Sequence, residues 1–170
     1  MSPVAFVIPA EQHDPLTATK MVNKLLGQGI EVQQASSEFN HEGRVYGAGS
    51  FVVSMAQPKR GVVRWLLGRT FYPDNTYTRN RDGSPIRPYD MSTDTMAEFM
   101  GVRVDPINST VNRQLETVDK PFSPAGEVTR GEFGFVLDGR LNDSFKAANL
   151  LLAKNVEVRR VTTAGEGVRI

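Results

Sequence analysis

The chain contains the same segment twice. Phe6-Val7-Ile8, Asp14, Leu16, Ala18, Leu25-Leu26 and Ile30-Glu31-Val32 return as Phe135-Val136-Leu137, Asp143, Phe145, Ala147, Leu151-Leu152 and Val156-Glu157-Val158. The step from Phe6 to Asp14 equals the step from Phe135 to Asp143, whereas the closing strand arrives about one helical turn earlier in the second copy. Each copy reads as strand, helix, strand. Two βαβ units predict an α/β fold: an open, mostly parallel sheet of repeated units flanked by helices, with ligand sites at the strand C-terminal ends.

Val4 to Ile8 is a continuous apolar run between Pro3 and Pro9, which predicts a central strand buried on both faces. Asp14-Pro15 is a helix start, with a carboxylate to cap free amides and proline at the first helical position. Ala18, Val22, Leu25 and Leu26 follow helical spacing, Gly27 and Gly29 offer the left-handed stop, and Ile30 to Ala35 is the next strand. Asn40-His41-Glu42-Gly43 predicts a hairpin turn, Ser50 to Met55 a strand, and Val62, Val63, Leu66 and Leu67 a short helix carrying Trp65. Residues 70–90 are rich in turn chemistry, Ser92 to Met100 suits a short helix, and Val102 to Val104 a strand.

This divides the chain into a first α/β repeat at residues 1–105, a polar connector at 106–130 with one short strand around Leu115 to Val118, and a second repeat of the same sheet at 131–170. In the second repeat Asp143 is expected to cap a helix that turns Phe145, Ala148, Leu151 and Leu152 inward, and Asn155 to take the stop that Gly29 serves in the first. Glu166-Gly167-Val168-Arg169-Ile170 repeats the lead-in Glu42-Gly43-Arg44-Val45-Tyr46, but no strand follows it. The second repeat therefore reads as incomplete and the chain as a fragment of a longer polypeptide, leaving an unpaired sheet edge through which two copies can associate as a homodimer.

Twenty basic and nineteen acidic residues leave a net charge of +1, so no global field argues for a nucleic-acid partner. The local runs Arg79-Asn80-Arg81 and Arg159-Arg160 read as solvated surface. With no cysteine, the chain has no disulfide, thiolate metal site or cysteine nucleophile. No run approaches the roughly 18 apolar residues of a membrane span.

The candidate chemistry is sparse. Glu11, His13 and Asp14 lie in the turn after the first strand and Asp138 in the matching turn of the second copy, where open α/β sheets place ligands. Asn142 stands where the first copy has His13, which favours helix-start chemistry over a metal or acid–base role. His41-Glu42 fails the His-Glu-x-x-His pattern because position 45 is valine, and neither turn has the glycines of a phosphate cradle. Ser50 lacks the setting of a nucleophile elbow. The tyrosine- and arginine-bearing loop, with Tyr72, Arg87 and Tyr89, has the amphipathic make-up of an interface. Glu11, His13, Asp138, Tyr72, Arg87 and Tyr89 are thus the candidate binding residues. No catalytic or metal-ligating residue is assigned.

The phrases Phe6-Val7-Ile8-Pro9-Ala10-Glu11-Gln12-His13-Asp14-Pro15, Ala48-Gly49-Ser50-Phe51-Val52-Val53, Met55-Ala56-Gln57-Pro58, Tyr72-Pro73-Asp74 and Pro88-Tyr89-Asp90-Met91 together resemble the C-terminal region of large bacterial zinc carboxypeptidases of the carboxypeptidase A class. That region follows the catalytic domain and is similar to class I glutamine amidotransferase folds, so the resemblance implies a flavodoxin-like or amidotransferase-like sheet. The family's zinc site needs His-x-x-Glu and a later His; here Leu16 and Arg44 stand three residues after His13 and His41. The resemblance therefore implies a catalytically silent accessory domain of an exported or periplasmic metallopeptidase, with zinc held by the parent peptidase domain and none here. Its partner would be the peptidase domain of the same polypeptide. The competing expectations are a stand-alone hydrolase using the carboxylates near His13 and Asp138, and a small-molecule binding domain at the strand ends.

Overall fold

The computed structural model describes residues 3–69, 73–87, 95–128, 131–132 and 134–160. They fall into two units, Met1–Pro124 and Ala125–Ile170.

The first unit is built on β1 (Ala5–Ile8), α1 (Pro15–Gly27) and β2 (Gln33–Ala35). A hairpin follows, β3 (Phe39–His41) and β4 (Arg44–Tyr46), then β5 (Phe51–Ser54), α2 (Arg60–Leu67), α3 (Met96–Phe99), β6 (Asp105–Ile107) and β7 (Leu115–Thr117). Asp14 is the N-cap of α1: its Oδ1 accepts from the Thr17 amide at 2.9 Å and its Oδ2 from the Thr17 hydroxyl at 2.7 Å, with Pro15 opening the helix. The helix ends as its glycines suggest. Gly29 sits at φ +71°, its amide bonds Leu26 O, and the Ile30 amide reaches back to Leu25 O, the paired arrangement of a left-handed C-cap.

The sheet order is β6-β1-β5-β2-β7, and each neighbouring pair is antiparallel. This corrects the expectation of a mostly parallel, flavodoxin-like sheet. β1 and β2 do run in the same direction, as a strand–helix–strand unit requires, but β5 is inserted between them and opposes both. The continuous apolar run of β1 reports burial on two faces, which any covered sheet demands, and carries no information about strand direction. Phe6, Ile8, Phe51 and Val53 face α1, α2 and α3 through Met21, Val22, Leu25, Val63, Leu67 and Ala97. Ala5, Val7, Val52 and Ile107 face the β3–β4 hairpin, where Phe39 and Tyr46 stack across the two strands with ring centroids 5.2 Å apart. Each large apolar side chain so enclosed contributes about 2 kcal/mol.

The span expected to be a connector instead supplies both edges of this sheet. Strand β6 lies just beyond Val104, where the sequence places the end of a strand, and β7 falls at the short strand expected near Leu115. Asn23 then fastens the chain beyond β7, donating to Phe122 O and accepting from the Phe122 amide, both at 2.8 Å.

The second unit holds α4 (Asn142–Ala153) and, among its described residues, no paired strand. Residues 135–137 and 156–158 lie outside any ladder, so the second copy adds nothing described to the five-stranded sheet. Its helix start also differs from expectation: the N-cap is Leu141 and Asp143 lies within the first turn. Phe145 and Leu152 are exposed rather than inward, while Ala148 and Leu151 are half-buried. The helix end matches the first copy. Asn155 takes φ +57°, its amide bonds Leu152 O and the Val156 amide bonds Leu151 O, the same cap built with asparagine in place of glycine.

Candidate functional site

The C-terminal ends of β1 and β2 meet the N-terminal ends of β5 and β6 at one side of the first unit's sheet. Here the turn after β1 is tied to segments distant in the chain. Ser50 Oγ accepts from the Ala10 amide at 2.9 Å and donates to Gly47 O at 2.7 Å. Gln12 brackets Arg103, donating to its carbonyl at 3.0 Å and accepting from its amide at 2.9 Å. Glu11 is exposed and lays its carboxylate over Gly47, where an added Cβ would push that flexible side chain aside. His13 is exposed beside the Asp14 cap.

Two polar clusters lie along β6, one at this end of the sheet and one beyond the strand's C-terminal end, and neither was anticipated as a unit. In the first, the buried Asp105 carboxylate receives Arg44 Nη1 at 3.0 Å and Arg103 Nη2 at 2.6 Å, beside the enclosed Tyr46 hydroxyl. Burial pushes the Tyr46 phenol above its ordinary range, and the Asp105 charge adds to this; the hydrogen bonds to Asp105 hold Arg103 more firmly protonated. Part of the signal was present as the alternating pair Arg44-x-Tyr46, which puts both side chains on one face of β4, while Arg103 lies just ahead of β6.

The second cluster joins the β3–β4 turn to the segment after β6. Glu42 Oε1 accepts from the Asn108 amide at 2.8 Å and from Ser109 Oγ at 2.9 Å, and Ser109 Oγ lies 3.1 Å from His41 Nε2. Serine, histidine and glutamate side by side invite a nucleophilic reading, but the wiring opposes it. A catalytic triad has the acid on the far ring nitrogen, leaving Nε2 to take the serine proton. Here the acid sits 3.7 Å from that same Nε2, and the serine hydroxyl donates to the acid. His41 Nε2 then serves as donor to Ser109, and the three groups form a clasp. The Ser109 hydroxyl, followed by the Asn108 amide, holds the Glu42 carboxyl below its usual range.

Asp138 belongs to the second unit, where it accepts from the Arg140 amide at 2.9 Å and pairs with Arg140 Nη2 at 2.7 Å. Arg87 is exposed; Tyr72 and Tyr89 lie outside the described residues. Among the described residues no three His, Asp or Glu side chains come together as a metal site, and no helix is long and apolar enough to cross a membrane. A groove of about 560 Å³ runs between the end of α2 and β6, lined by Arg44, Arg64, Arg69 and Asp105. Pro106 lacks an N–H, and the Asn108 amide is taken by Glu42, so the β6 edge is blunted against a further strand. No family model, curated protein or solved structure matches this chain.

Proposed function

We propose that this chain is a non-catalytic accessory α/β domain that acts beside a bacterial zinc carboxypeptidase domain of the same polypeptide, supporting it or shaping substrate access, with the zinc held by that peptidase domain. One observation carries the reading beyond the sequence phrases. Four polar residues in the phrases that resemble the family are committed to backbone groups. Gln12 brackets Arg103, Asp14 caps α1, Ser50 braces Ala10, and Gln57 spans Glu31 by accepting from its amide at 2.9 Å and donating to its carbonyl at 3.2 Å. These four side chains are spent on holding the backbone, which supports a scaffold role.

The test compares the chain alone with the peptidase-bearing polypeptide that contains it. The isolated chain is expected to bind no stoichiometric zinc and release no C-terminal amino acids from peptides. Deleting it from the larger polypeptide should lower peptidase activity or thermal stability. Stoichiometric zinc on the isolated chain, or hydrolysis that disappears in a folded His13→Ala variant, would sink the proposal.

A further inference from the structure

The two copies differ most in what covers their first strand. Phe6, Val7 and Ile8 are 1%, 0% and 0% exposed, whereas Phe135, Val136 and Leu137 are 69%, 79% and 41% exposed. In the first unit the cover on the β2 side is β5, the antiparallel strand inserted between β1 and β2. The second unit has a cavity of about 690 Å³ in the matching place. Residues 135–137 form one wall, residues 157–159 the other, and Ala148 and Leu151 of α4 the floor. In the first unit β1 and β2 stand two strand spacings apart, about 9.6 Å, because β5 lies between them.

We infer that this cavity is a slot for one antiparallel β-strand, an extended, uncharged apolar segment of a partner polypeptide with the pattern of Gly49-Ser50-Phe51-Val52-Val53. Strand addition of this kind satisfies the backbone groups of both walls at once, and alternate side chains of the donor reach the apolar floor. The charges at the slot select a neutral occupant, since Asp138 pairs with Arg140 and Glu157 with Arg159 at 2.6 Å. The repeat also states where the donor's polar atoms belong. Ser50 accepts from the Ala10 amide, and Gly139 occupies the place of Ala10, so a donor hydroxyl meets the Gly139 N–H. Gln57 brackets the backbone of Glu31, and Glu157 occupies the place of Glu31, so a donor carboxamide spans Glu157. The inference is independent of the peptidase reading.

The experiment is hydrogen exchange of the full 170-residue chain, read by mass spectrometry with and without a capped peptide spanning its own residues 47–57. Exchange in residues 135–139 and 156–160 is expected to slow together by about tenfold or more. The same peptide carrying Val52→Pro, which lacks a ladder N–H, should protect neither segment. Absence of protection with the native peptide, protection of one wall only, or equal protection by the proline or a scrambled peptide would overturn the inference. So would protection that rises with protein concentration in the absence of peptide, because the occupant would then be a second copy.

Discussion

Glu42 shows how one residue can be visible in a sequence and its role hidden. His41-Glu42-Gly43-Arg44 is legible as a hairpin turn, and the structure closes it with Glu42 at φ +48° and Gly43 at φ +77°, the left-handed pair that two-residue hairpins use. Glycine and asparagine favour the first of these positions, and glutamate there is a strained choice. The compensation is its reach to Ser109 and the Asn108 amide, residues far along the chain, which no local pattern announces. Because its native pKa is lowered, Glu42 contributes stability that is present above the unfolded value, about 4.3, and is lost as pH falls through the folded value. Native chain and Glu42→Gln should therefore differ in denaturant midpoint near pH 6 and converge as the pH falls from about 4.3 through the lowered folded value. An unchanged difference across that range would show that the carboxylate charge does not hold the clasp.

At the scale of elements, what sequence reveals is governed by how local the cause is. The Asp14-Pro15 start and the Gly29 and Asn155 stops are set by a few neighbouring residues, and they form as read. Strand pairing is set by partners far away, and the insertion of β5 between β1 and β2 left no mark within either strand. The polar residue that locks this insertion is Gln57. It follows β5, is almost wholly buried, and holds Glu31 just ahead of β2 while also donating to Ser54 O at 2.7 Å. Gln57→Ala would leave the Glu31 amide and carbonyl without their partner. A loss of about 1–3 kcal/mol is expected from denaturant unfolding, with faster exchange of the Glu31 amide than of the α1 core. A smaller loss, with Glu31 exchange unchanged, would mean that water replaces Gln57 without penalty.

For the molecule as a whole, the repeat was legible and the sheet built on it was not. Similar strand–helix–strand segments suggest equal partners in one sheet, yet the strands that complete the described sheet come from β5, β6 and β7, outside the repeated residues. Residues 106–130 read as a connector because short edge strands carry little apolar signal: β7 is Leu-Glu-Thr, and β6 contains a proline. Their contribution lies in covering β1 and β2, and Phe122 adds an edge-on contact with Phe51 at 5.4 Å. This bears directly on where the first unit can be cut. A chain of residues 1–124 keeps all five strands and the Asn23–Phe122 brace, so it is expected to be monomeric and to unfold in one cooperative transition. A chain of residues 1–105 keeps β1, β5 and β2 but leaves both outer strands bare, with Ile107 and Val111 missing from the hairpin-side core. Exposed strand edges beside unfilled apolar space favour association, so this shorter chain should aggregate or melt without a sharp transition in size-exclusion and calorimetric measurements. A monomeric 1–105 chain with the same melting temperature as 1–124 would mean that the inner three strands and their helices are stable by themselves, and that β6 and β7 are additions to a core already complete.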